Sequence, residues 1–232
     1  LGFKSFVNKL SSLLPTSSTP SANIEQNKNN NETSTHDKII TNTDDIQLLM
    51  SDIEKSCNLA YYIEYLPSQE LFNEQPMFVA INLDGLKFYH LDSISFPELS
   101  QNLLSYLFFD ETRVNKQQLL IGADIKIDAL YILSKNLKFN VKYFDVLKAH
   151  YLIDVTTKHN LNFISSKYLH KDLLTIGKKE LPLKERPLEF KVEYAKERVQ
   201  AIYELFIIFK KKLNELNLEK IFYEIDNPLS LV

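Results

Sequence analysis

The groups that could do chemistry in this chain are few and scattered. Asp124 and Asp128 stand four apart, a spacing that puts both carboxylates on one face of a helix. Asp84 sits in an Asp84-Gly85 pair, where aspartate is favoured for backbone reasons as much as for catalysis. Asp145 opens the run YFDVL and reads as a helix-start residue rather than a ligand. His90, His150, His159 and His170 have no metal-ligand spacing to one another, and His36 falls in a polar stretch, so no zinc site is expected. Ser165 and Ser166 lack the glycine-flanked elbow of a serine hydrolase. Tyr61, Tyr62 and Tyr65 could stack bases, although aromatics in strands more often pack. Lys210, Lys211 and Lys212 read as a solvated helix end favoured by the dipole, with a DNA-backbone contact as the rarer use.

Composition removes several classes. The four glycines, at 2, 85, 122 and 177, never cluster, which excludes a P-loop and a dinucleotide fingerprint. A net charge of −3 gives no global basic field for nonspecific DNA binding. Only 3 of 27 basic residues are arginine, leaving few guanidinium forks for phosphate or base readout. That bias, with so much Ile and Asn, fits an AT-rich genome. The single cysteine, Cys57, rules out an internal disulfide framework, suits a reducing cytoplasm and reads as a helix-face apolar residue. No apolar run is long enough to span a membrane, and the N-terminus lacks the pattern of a signal peptide.

The elements that must position these residues follow from periodicity. Phe3, Phe6, Val7, Leu10 and Leu13 recur at helical spacing, so residues 1–13 are predicted as a short helix. Residues 11–37 hold 6 Ser, 4 Thr, 5 Asn and 2 Pro, too little apolar surface to offset chain entropy, and a flexible linker is expected over 14–43. Thr43 or Asp44 is the expected cap of a helix running to about Cys57. Strands are predicted at 60–66, 77–83 and 86–91, the last two joined through Asp84-Gly85 as a hairpin. A helix at 97–108, a strand at 118–121 and a helix at 124–136 come next, with a further short strand around Val141. Helices at 143–153, 161–169 and 190–217 follow, with loop over 170–188 and a last helix from Leu218 that stops before Pro228. Strands first and helices later imply an α/β class with a mixed sheet.

Three stretches together resemble the bacterial DNA polymerase I family (family A) between its 5′-nuclease and polymerase domains. LGFKSF at the start resembles the helix that closes the 5′-nuclease domain. IGADIKIDALYIL (121–133) followed by VKYFDVLKAHYLID (141–154) resembles the second exonuclease motif and the helix after it. LEKIFYEIDNPLSLV (218–232) is similar to the segment that begins the polymerase domain. The resemblance implies residues 1–13 as the end of an upstream 5′-nuclease domain, 14–43 as linker, 44–217 as a 3′–5′ exonuclease-like domain of ribonuclease H-like fold, and 218–232 as the start of the polymerase domain.

An active domain of that kind uses two divalent ions, which demand hard carboxylate ligands. The family places Asp-x-Glu on the first core strand, where the i, i+2 spacing aims both carboxylates into one site. A further Asp stands in the second motif, and the third motif reads Tyr-x-x-x-Asp. Carried onto this sequence, the first motif falls on 78–84, so the Asp-x-Glu positions are Ile81 and Leu83, both apolar and expected to fill the cleft, with Asn82 pointing the other way. Asp128 is kept, Tyr194 is kept, and Arg198 stands where the last carboxylate belongs. A guanidinium there repels a metal and stays charged. The short Asp84-Gly85 turn also implies a missing wall around a DNA 3′ end. The expectation is therefore a non-proofreading, catalytically inactive domain acting as a structural spacer. The parent would be a DNA-directed DNA polymerase, a nucleotidyltransferase of replication and repair. This segment would take no cofactor, and the parent would use Mg²⁺. DNA would be bound through the adjoining polymerase domain, and the protein would be cytoplasmic and monomeric. Two alternatives stay open: a divergent metal-dependent 3′–5′ exonuclease using Asp128 with Asp124, Asp84 or Glu197, and a non-catalytic interaction module.

Overall fold

The computed structural model describes residues 36–68, 75–109, 118–137, 139 and 141–231. The expected helix at 1–13 and the expected linker as far as residue 35 lie outside the described residues.

Six strands form one mixed sheet: β1 (His36–Ile40), β2 (Asn58–Leu66), β3 (Gln75–Leu83), β4 (Lys87–Asp92), β5 (Leu119–Gly122) and β6 (Tyr143–Asp145). Their spatial order is β1-β4-β3-β2-β5-β6. β2 lies centrally, antiparallel to β3 and parallel to β5. The expected linker ran to residue 43, but residues 36–40 instead add a strand parallel to β4. In that strand Ile40 is fully buried, and the Asp37 carboxylate meets the Lys196 ammonium at 2.5 Å. Two isoleucines, Ile39 and Ile40, at the end of a polar stretch suffice once an open edge is available to pair with.

Helices cover both faces. On one, here the upper face, lie α1 (Thr43–Lys55), α2 (Pro97–Phe109) and α3 (Ile125–Ser134). Their buried Leu49, Ile53, Leu103, Phe108 and Ile132 pack against Leu59, Tyr61 and Ile81 of the sheet. On the lower face lie α4 (Val146–Ile153), α5 (Leu161–Leu169) and the long α6 (Leu188–Glu215). There Val199, Ile202, Phe206 and Phe209 of α6 meet Phe78, Ala80 and Phe144. Both faces of the central strands are thus buried, which is why β3 reads as an almost unbroken apolar run.

Local chemistry sets the boundaries. The cap of α1 is Asn42, one residue before the expected Thr43, and its side chain accepts from the Asp45 amide. The helix stops at Lys55, so Cys57 is an exposed residue at the entry to β2 rather than part of a helix face. The β3–β4 hairpin turns at Asp84 and Gly85, both left-handed at φ 54° and 77°. That double positive φ explains the Asp-Gly pair. A Cβ on Gly85 would also come within 2.6 Å of the Tyr203 ring. The expected strand around Val141 and the expected helix start at Tyr143 are both displaced. Residues 143–145 form β6, and the Asp145 carboxylate caps α4 by accepting from the amides of Leu147 (2.8 Å) and Lys148 (3.3 Å).

The terminal segment packs onto the same body. A short α7 (Glu219–Ile221) runs into a π-turn over Phe222–Asp226 and a 3₁₀ turn over Pro228–Leu231. Phe222 is fully buried, its ring 4.7 Å from that of Phe144. The Asn227 side chain then completes the open edge of β6. Its oxygen accepts from the Asp145 amide at 3.1 Å, and its nitrogen donates to the Tyr143 carbonyl at 2.8 Å. Among the described residues no helix is long and apolar enough to cross a membrane.

Candidate functional site

The central strand carries the site. Alternation along β2 sends Tyr61, Ile63 and Tyr65 to the upper face and Ala60, Tyr62 and Leu66 to the lower one. Asp128 lies on the upper side of this strand and Glu64 on the lower.

On the upper face, Asp128 in the first turn of α3 is 5% exposed and accepts from the hydroxyls of Tyr61 (2.6 Å) and Tyr65 (2.8 Å). Burial pushes its carboxyl up to about 7; the two tyrosine hydrogen bonds pull the other way. Gly122, the last residue of β5, makes this arrangement possible. A Cβ there would lie 2.7 Å from the Tyr61 ring and 2.8 Å from its hydroxyl oxygen. Asp124 does not join Asp128 on a helical face. It precedes α3 in a left-handed conformation, exposed and without a side-chain cap bond. Asp145, 1% exposed, accepts from the Ile125 amide at 2.9 Å, so it fastens α3 to β6 while capping α4.

On the lower face, the Tyr62 hydroxyl donates to Glu64, two residues on along the strand. Burial raises the Glu64 carboxyl above its ordinary range, against the opposing effects of the Tyr62 hydrogen bond and the Arg198 charge. Arg198, 5% exposed, lies flat on Tyr194 with its guanidinium 3.3 Å from the ring centre and 5.9 Å from that of Tyr62. It donates to the carbonyls of Tyr194 (3.2 Å) and Leu174 (2.8 Å). Neighbouring Glu197 accepts from the Leu174 amide at 2.7 Å.

Asp128 lies against the upper side of β2 and Arg198 near its lower side, whereas the expected first-motif positions lie on β3. Ile81 and Leu83 do share one face, yet that face is the upper core, where they are 1% and 3% exposed. Tyr194 packs edge-on to Phe78 of β3, while Arg198 stands near Tyr62 of β2, whose i, i+2 pair on that face is Tyr62 and Glu64. The more apolar β3 reads in the sequence as the core strand, which masks Glu64 on β2. The signal was present: a lone carboxylate in the strand that comes first after α1, NLAYYIEYL. The Asp84-Gly85 turn consequently follows β3 rather than the central strand, so its shortness says nothing of a wall beside the site. Asp84 itself serves the backbone, accepting from the amides of Cys57 (3.0 Å) and Asn58 (2.8 Å).

Two carboxylates of an expected four are thus present, on opposite faces of one strand and each held by tyrosine hydroxyls. This donor set does not fit a two-ion site. Among the described residues no three His, Cys, Asp or Glu side chains gather as metal ligands. Sequence spacing also hid one pairing of histidines: Nδ1 of buried His150 lies 2.9 Å from Nδ1 of His159. His90 is buried against Phe78 with neither ring nitrogen hydrogen-bonded. Of the candidate stacking tyrosines, Tyr61 is 1% exposed and so closed to a base.

No family model matches the chain. Over 118 residues it is 37% identical to DNA polymerase I of Borreliella burgdorferi, a match covering 49% of this chain and 13% of that protein. Two solved structures share its architecture. RNase D of Escherichia coli, an exoribonuclease involved in structured RNA processing, superposes with a TM-score of 0.67 at 13% identity, covering 84% of this chain and 49% of that one. The POL domain of Pol1 from M. smegmatis, in complex with DNA primer-template and dNTP, gives 0.64 at 12% identity, covering 83% and 30%. This chain thus spans less than half the length of each of these proteins. It carries an exonuclease-type α/β fold, and half of its sequence is related to a bacterial DNA polymerase I.

Proposed function

We propose that this chain is the 3′–5′ exonuclease-like segment of a DNA polymerase I and that it is catalytically inert, serving as a rigid spacer beside the polymerase domain. The observation that carries this reading is the separation of the two remaining carboxylates. Asp128 is bound to Tyr61 and Tyr65 above β2, and Glu64 to Tyr62 below it. A two-ion mechanism needs ions about 3.5–4 Å apart bridged by converging carboxylates. Arg198 stands where a further ligand belongs, and its fixed positive charge opposes a cation there. In this reading Mg²⁺ and DNA are handled by the polymerase part of a cytoplasmic, monomeric enzyme of replication and repair. Residues 218–231 begin that part.

A second reading, a divergent metal-dependent exonuclease, is favoured only by the survival of Glu64 beside Asp128. It requires both to reach one ion around the edge of β2. The test is a 3′–5′ exonuclease assay on end-labelled single-stranded DNA with Mg²⁺ and then Mn²⁺. It compares the chain with its Asp128→Ala and Glu64→Ala variants. The inert reading expects no shortening above either variant. Shortening that disappears in both variants establishes the second reading instead.

A further inference from the structure

Residues 170–177 leave α5 and run beside α6 without regular secondary structure. Packing alone does not hold this stretch. Leu173 is 6% exposed and Ile176 touches the lower core, but Lys171, Asp172, Thr175 and Gly177 are exposed. A cavity of about 440 Å³ bordered by Lys171, Leu173, Lys196 and Gln200 opens between the stretch and α6. What ties it down is a set of polar pins. Both backbone groups of Leu174 are taken by consecutive residues of α6, the amide by Glu197 at 2.7 Å and the carbonyl by Arg198 at 2.8 Å. Two helical turns further on, Glu204 accepts from the Lys171 ammonium with both oxygens at 2.8 Å.

We infer that Arg198 and Glu197 form a latch that holds residues 171–176 as a closed strap beside the Tyr62–Glu64 face, shutting that face against the end of a nucleic-acid strand. The latch works because Arg198 is fixed on three sides. Its guanidinium lies on the Tyr194 ring, bonds the Tyr194 carbonyl and spans to Leu174 while standing 5.9 Å from the Tyr62 ring. A planar fork can stack and donate sideways at once; an ammonium cannot. Arg198 is a positioning residue here, acting through the strap. The inference deepens the reading of an inert site and rests on it for what the strap excludes.

Hydrogen exchange of the 232-residue chain, read by mass spectrometry, tests the latch. At labelling times too short for global unfolding, the amides of 171–176 should exchange about tenfold faster in Arg198→Ala, since local opening sets their rate, while peptides from β2 and residues 200–209 stay protected at those times. Glu197→Ala should give a smaller increase in the same peptide, and Arg198→Lys should fail to restore protection. Unchanged exchange over 171–176 in Arg198→Ala overturns the latch, as does an equal increase across α6 and β2. Nuclease activity in a wild-type chain whose strap is protected overturns the inert reading and the exclusion together, and leaves the latch standing only as a hold on 171–176.

Discussion

Buried Asp128 and half-buried Glu64 are both held by tyrosine hydroxyls of one strand, yet their surroundings differ in kind. Above β2, Asp128 has two hydroxyl donors and no cation, and its nearest charges are Asp145 and Asp124, which raise its carboxyl further. Below β2, Glu64 has one hydroxyl donor but feels the Arg198 guanidinium, which opposes the effect of burial. Burial raises both carboxyls, but the lower one has a guanidinium opposing the effect. In the inert reading proposed above, both groups are parts of the scaffold.

The largest effect expected from breaking this contrast is in pH dependence. The folded carboxyl of Asp128, near 7, stands well above its unfolded value of 3.8. The stability tied to its protonated form is complete below about pH 4 and is lost as pH rises through 7. Asp128→Asn should therefore gain on the wild type by about 3 kcal/mol between pH 4 and 8, read from urea midpoints at both values. Glu64→Gln should change far less over the same range, because its burial is partly offset by Arg198. Equal slopes for the two variants would erase the contrast.

Next in size is Arg198→Ala. Losing the stacked guanidinium and two carbonyl bonds should lower stability by about 2–3 kcal/mol. Gly122→Ala should follow at about 1–3 kcal/mol through overpacking, and it should act on the upper site alone, because its Cβ meets the Tyr61 ring. The smallest and most discriminating pair is Tyr61→Phe against Tyr62→Phe. The first leaves Asp128 with one donor in a closed core and should lose about 1–2 kcal/mol at pH 8. The second leaves a half-buried Glu64 still facing a cation and should lose about 0.5–1 kcal/mol. Thermal melts of the four variants at one pH rank them.

Much of the fold was legible in one dimension. The hairpin at Asp84-Gly85 was, because a turn left-handed at two residues leaves few alternatives. The long α6 was, because Val199, Ile202, Phe206, Phe209 and Leu213 repeat at its period. The short β6 was misread as helix since three residues carry no period, and the choice was made by Asp145 capping α4 and by Asn227 pairing the strand edge. β1 was missed for a related reason: a strand in a polar stretch exists only because β4 offers it an edge.

Of the candidate site, positions 128, 194 and 198 are given by the resemblance to the polymerase I family and not by periodicity. Which strand faces them was not legible. β2 and β3 are both apolar runs of nine residues, and composition favours β3 as the buried centre. From the sequence follow an α/β class and, through the resemblance to the polymerase I family, an arginine where that family has an acid. It took the tertiary arrangement to turn Ile81 and Leu83 into the upper core and to set Glu64 and Asp128 on opposite faces of β2. Strand order and the face each side chain takes arise from pairing between segments distant in the chain, and local periodicity carries no record of that pairing.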